Sequence, residues 1–189
     1  MKTHRKIGCL ALTALTILTG CLPSLNPVYK NEQLVVDDAA LGVWAEPNSK
    51  ASWVFTKRDA KSYTLVYTDE EGHQGRFVAR LARIEGALFL DLFPEEAKGS
   101  ASGFYNFHLV PIHTVYLVRR TKPSLELAAI DFVWLQKHLT DNPGAIANAT
   151  FGGRKLITAP TEDVQAFVLA HKDAFTNEFK LERESKPTK

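Results

Sequence analysis

The sequence predicts a mainly β domain, an antiparallel barrel or sandwich, with helices confined to its C-terminal third. Three observations carry this. Apolar and aromatic residues alternate with polar ones at period two through most of residues 41–130. Turn residues interrupt the alternation every ~8–12 residues, the spacing of strands joined by hairpins. Helical periodicity first appears after Asp131. The 189 residues are 45% hydrophobic and 23% charged. That composition excludes a disordered, collagen-like or polytopic membrane protein and fits one domain.

The elements follow in order. Residues 41–46 form a short strand stopped by Pro47-Asn48. Residues 52–57 set Trp53, Phe55 and Lys57 on one face. Residues 62–68 set Tyr63, Leu65 and Tyr67 against Thr64, Val66 and Thr68, and end in the turn Asp69-Glu-Glu-Gly72. Residues 75–84 alternate Phe77, Ala79 and Leu81 with Arg76, Val78 and Arg80. Glu85-Gly86 reads as a hairpin turn into a strand over 87–93, and 94–103 as a polar loop. Strands over 104–110 and 112–119 are split by Pro111, which has no N–H for a ladder. Residues 124–130 form one more strand. Asp131 is placed to cap a helix over 132–139, where Phe132, Leu135 and Leu139 share a face and Asn142-Pro-Gly144 ends it. Residues 154–159 read as a short strand. Thr161, followed by Glu162 and Asp163, caps a second helix carrying Val164, Phe167, Val168 and His171. The expected order is about eight strands, a helix, a short strand and a helix.

Upstream of the domain, Lys2, Arg5 and Lys6 precede an uncharged run, residues 7–20. A span needs ~20 apolar residues; this run is shorter and has the layout of a signal peptide. It ends in Leu18-Thr-Gly-Cys21, which resembles the lipobox of bacterial lipoproteins: an aliphatic residue, two small ones, then cysteine. The resemblance implies diacylglyceryl transfer to the Cys21 thiol, cleavage just before it and acylation of the new amino terminus. Each buried methylene contributes ~0.8 kcal/mol, so several chains anchor stably where one is marginal. Leu22 after the cysteine, in place of Asp, implies by the same resemblance the outer membrane, facing the periplasm, in a Gram-negative host. The expected organisation is a signal peptide over 1–20, a lipidated cysteine and tether over 21–40, a β-rich domain over 41–175 and a charged, disordered tail over 176–189. Removing residues 1–20 turns a net charge of +2 into 20 basic against 21 acidic residues. It also discards Cys9 and leaves Cys21 without a disulfide partner.

Two resemblances concern the domain. Gly42-Val-Trp44 is similar to the Gly-x-Trp motif of lipocalins, where the Trp plugs the closed end of an eight-stranded up-and-down barrel. It implies a lipocalin-like fold. The blocks Gly42-Val-Trp-Ala-Glu-Pro47, Trp53-Val-Phe55, Tyr63-Thr-Leu-Val-Tyr-Thr-Asp69, Leu88-Phe-Leu-Asp-Leu-Phe-Pro94, His108-Leu-Val-Pro-Ile-His113 and Leu127-Ala-Ala-Ile-Asp131 with Trp134-Leu135 resemble a family of bacterial proteins, many with lipoprotein signals. That resemblance implies a single domain and supplies no mechanism.

Catalytic patterns are missing: the sequence has no Gly-x-Ser-x-Gly, Ser-x-x-Lys, His-Glu-x-x-His or phosphate-cradling glycine loop. Asp69-Glu-Glu-Gly72 is acidic but lacks the ligand spacing of a calcium loop. The best polar set is His108 and His113 about Pro111. Their parity is opposite, and only a bulge would turn both to one side, where Asp91 from a neighbouring strand would complete a metal or acid–base site. The competing expectation is a solvated His108 and a His113 hydrogen-bonded inside the fold. Among the aromatic residues, Trp53, Tyr63, Tyr67, Tyr105, Phe107 and Tyr116 are the ligand-binding candidates. Such residues either fill the core or line a cavity for one small hydrophobe. Scattered pairs such as Lys57-Arg58 and Arg119-Arg120 make no nucleic-acid stripe. No cofactor or metal is expected. The chain therefore reads as a lipid-anchored cell-envelope protein that binds a hydrophobic small molecule or a partner protein without catalysis. The alternative is an envelope hydrolase or metal-dependent enzyme using His108 and His113.

Overall fold

The computed structural model describes residues 21–95 and 109–184. The period-two stretches become strands β3 (Gly42–Ala45), β4 (Ser52–Lys57), β5 (Tyr63–Thr68), β6 (Gln74–Ile84), β7 (Ala87–Pro94), β8 (His113–Arg120) and β9 (Leu125–Ala129). Each pairs antiparallel with the next. A last strand, β12 (Asn177–Arg183), lies between β9 and β3 and closes an eight-stranded barrel. Between β9 and β12 come helix α1 (Phe132–Asp141), a hairpin of β10 (Asn148–Phe151) and β11 (Arg154–Ile157), and helix α2 (Thr161–Ala170). Two short strands precede the barrel, β1 (Leu22–Ser24) and β2 (Leu34–Val35).

Side-chain parity divides the apolar residues between two cores. Inside the barrel lie Phe55, Tyr63, Leu65, Leu81, Leu90, Leu127 and Leu181. On the outer face of β7–β9, Phe89, Val115, Leu117, Ala128 and Ile130 meet Leu135 and Leu139 of α1, Val164, Phe167 and Val168 of α2, and Leu22 and Val28. Strands buried on both faces lose their alternation, which is why Leu88–Leu90 and Leu127–Ile130 are continuous apolar runs. Each buried Leu or Phe contributes about 1.5–3 kcal/mol.

Strand β8 is shared. One edge pairs with β7 from Thr114 to Val118. The other takes β1 at His113–Val115 and β9 from Leu117 onward, with a register shift between Val118 and Arg120. Strand β1 also pairs in parallel with β11, so the β10–β11 hairpin extends the sheet beyond the barrel.

One end of the barrel is covered by the turn at residues 37–40. The Asp37 N–H donates to the Tyr63 hydroxyl (2.7 Å) at the start of β5. Trp44, wholly buried, donates from Nε1 to the Ala40 carbonyl (2.8 Å). The Arg183 guanidinium lies over the indole at 4.4 Å and donates to the carbonyls of Leu41 and Ala39. Gly42 has φ +128°, and a Cβ there would sit 2.3 Å from the Arg183 guanidinium. The backbone conformation requires glycine, and any Cβ there would also push the guanidinium aside.

Several expectations are corrected. Residues 176–189 are not simply a disordered tail, since Asn177–Arg183 is the closing strand and Glu184 N–H bonds the Val43 carbonyl. Residues 21–40 are not a free tether: Leu22, Ser24 and Val28 are fully buried because β8 has an open edge for β1. The order after β9 is helix, two-stranded hairpin, helix and strand. Pro160 occupies the N-cap of α2, and the Thr161 hydroxyl instead donates to the Pro27 carbonyl. Of the strand expected over 104–110, residues 104–108 lie outside the described residues and Leu109–Val110 carry no strand. Asp131 does cap α1, accepting from the Trp134 N–H at 3.0 Å. Among the described residues no helix is long and apolar enough to cross a membrane.

Candidate functional site

Two groups of residues singled out in the sequence come together, on opposite faces of the barrel wall. The first is Asp91 with His113, on adjacent strands. Asp91 is the register partner of Val115, and it shares the outer face with His113. Their side chains meet at 2.6 Å through Asp91 Oδ1 and His113 Nδ1, both buried. The other carboxylate oxygen accepts the Val28 N–H at 3.0 Å. Phe93 packs on the imidazole at 4.5 Å and Tyr29 meets it edge-on at 6.5 Å. Arg80 in turn lies over the Tyr29 ring.

A carboxylate that orients an imidazole is half of an acid–base device. The remaining half is not assembled by Ser24, the register partner of His113. The Ser24 hydroxyl donates to the Asn26 carbonyl (2.7 Å) and accepts the Asn26 N–H. What the pair visibly does is fasten the segment at Val28–Tyr29 to the barrel wall. His108 lies outside the described residues.

The second group is aromatic and faces inward. Trp53 and Tyr67 are register partners at the far ends of β4 and β5 from Tyr63. Trp53 meets Tyr67 edge-on at 5.3 Å and Tyr116 at 6.2 Å, and Tyr116 meets Phe179 at 6.3 Å. With Phe77 these rings are only partly buried, unlike Phe55 and Tyr63 deeper in the barrel. Burial pushes the Tyr116 hydroxyl far above its ordinary pKa, and burial with the nearby Asp69 carboxylate raises Tyr67. Both phenols are therefore neutral at physiological pH and able to donate. Of the six candidates, Trp53, Tyr67 and Tyr116 converge here. Tyr63 belongs to the covered end, and Tyr105 and Phe107 lie outside the described residues. The Leu22–Val115 register sets Cys21 beside Tyr116. Burial raises the Cys21 thiol, and Arg154 opposes that shift.

The sequence reading passed over two features. Phe179 joins the aromatic end from the charged tail, where only its period-two spacing with Leu181 marked it. On the outer face, Trp134 and His138 of α1 stack at 4.6 Å, and His171 packs on His138 and Phe167 at 4.8 and 4.7 Å. The i, i+4 spacing of Trp134 and His138 was the available signal. A cleft of about 320 Å³ opens beside them, lined by Asp131, Trp134, Ala170, His171, Asp173 and Ala174. Burial, and then the neighbouring His138, lower the pKa of His171. Asp69, Glu71 and His73 bring three ligand atoms within 4.8 Å of one another at the β5–β6 turn. They are largely solvated, and Asp69 is already engaged by the Glu71 and His73 N–H groups.

No family model, curated protein or solved structure matches the chain.

Proposed function

We propose that this chain is a lipid-anchored protein of the bacterial cell envelope that holds the apolar part of a small hydrophobic molecule at the aromatic end of its barrel. One observation carries the binding reading: Trp53, Tyr67, Tyr116 and Phe179 gather on the inner wall, partly buried, away from the end that the 37–40 turn covers. Barrels of eight strands have room for side chains or for one small ligand. Rings left partly exposed at a barrel end supply apolar area for such a ligand. A lipocalin-like reading is supported by Gly42-Val-Trp44 and by the buried Trp44 beneath the covering turn. The anchor rests on the signal layout and Leu18-Thr-Gly-Cys21. The hydrolase alternative has less support, because His113 faces away from the barrel interior and its carboxylate partner also holds the Val28 N–H.

The test is a titration of the mature chain carrying Cys21→Ser with a nitroxide-labelled fatty acid, read by tryptophan fluorescence, alongside mass analysis of its organic extract. Saturable quenching that Trp53→Phe diminishes, or a hydrophobe in the extract, is the expected result. An empty extract together with quenching that never saturates would sink the proposal.

A further inference from the structure

The β10–β11 hairpin lies where the lipid attachment would be. Strand β1 runs parallel to β11 with Ser24 opposite Ile157, and the Leu25 N–H bonds the Ile157 carbonyl. Three residues back along both strands, Cys21 comes level with Arg154. The charge of Arg154 is felt at the Cys21 thiol, as that proximity requires. The hairpin turns at Gly152-Gly153, both at positive φ, immediately after Phe151.

Phe151 is 79% exposed, the most exposed large apolar side chain among the described residues. The ring at the hairpin tip therefore lies mostly in water instead of against the fold. Among the described residues, strand β10 stands at the edge of the sheet. The surrounding charge is one-sided. Residues 142–161 contain Arg154 and Lys155 and no acid, although the mature chain as a whole is nearly neutral. An apolar tip flanked by cations matches a membrane interface, where rings enter the acyl boundary and cations meet the anionic surface.

We infer that the β10–β11 hairpin is a second membrane contact, with Phe151 entering the acyl boundary and Arg154 and Lys155 meeting anionic headgroups beside the acylated Cys21. This rests on the lipid-anchor reading above. Its consequence is orientation: an anchor alone leaves the domain free to turn, whereas anchor and hairpin together hold one side against the bilayer.

The test uses the full chain, expressed from Met1 with Thr150→Cys, so that Phe151 stays in place. After processing, Cys9 is gone and Cys21 is acylated, leaving the introduced thiol as the single attachment point for an environment-sensitive fluorophore. The protein is reconstituted in vesicles of equal parts phosphatidylethanolamine and phosphatidylglycerol. Lys57→Cys, on β4 across the barrel from β8, serves as the reference. A blue shift at position 150, none at position 57, and reversal of the shift by added Phe151→Ser and Arg154→Glu is the expected outcome. An acylated protein, shown by intact mass, whose label at 150 is as aqueous as at 57 overturns the hairpin contact and leaves the anchor standing. A mass without acyl chains overturns the anchor and this inference with it.

Discussion

At the scale of single residues, the buried carboxylate of Asp91 engages two partners, His113 with one oxygen and the Val28 N–H with the other. Asp91→Ala strands both donors in a buried site. Each unsatisfied buried group costs about 1–3 kcal/mol, so the variant should lose about 3 kcal/mol in urea unfolding. A loss under about 0.5 kcal/mol, the range of surface changes, would show that the pair is not a fastening. His171 makes a different prediction. Its folded pKa lies below the ordinary value because of burial and then His138, so between those two values the unfolded chain binds more protons. Its stabilisation is present above an unfolded pKa of about 6.5 and lost as pH falls below that. Asp131 and Asp173 line the same cleft. His171→Gln should therefore lose less melting temperature than the parent between neutral and mildly acidic pH. Equal losses would remove His171 from the acid response.

At the scale of elements, β12 is the instructive one. Its inward residues Phe179 and Leu181 alternate with Glu178, Lys180 and Glu182, which face solvent. Only two of its seven residues are apolar, and the charge density read as a tail. The strand exists because β3 and β9 each offer it an edge, a condition set by residues more than forty positions away. Ending the chain after Thr176 should abolish cooperative unfolding, since it exposes two strand edges and removes Leu181 from the inner core and Arg183 from Trp44. A truncated chain that melts in one sharp transition would contradict closure by β12. Strands β4–β9 were legible in the sequence because their alternation is local to each strand. Strands β1 and β10 were not, because their pairing is entirely tertiary. The same limit applied to the sites. Parity showed that Trp53, Phe55 and Lys57 share a face, but not which face of the sheet is inner. So His113 with Asp91 and Trp53 with Tyr67 were visible as groups, and only barrel closure placed one outside and the other inside.

For the molecule as a whole, two cores share one wall. The inner core is sealed at the Trp44 end and grades into partly exposed rings at the Trp53 end. The outer core fixes both helices and the first residues after Cys21. The seating of β1 on β8 bears on the order of events in the cell. On the lipoprotein reading, the peptidase must grip an extended chain around Cys21, and yet Leu22, the very next residue, is fully buried in the folded domain. A domain that folded first would hide its own cleavage site. On that reading, processing must precede the docking of β1, and so the anchor comes first and the finished fold second.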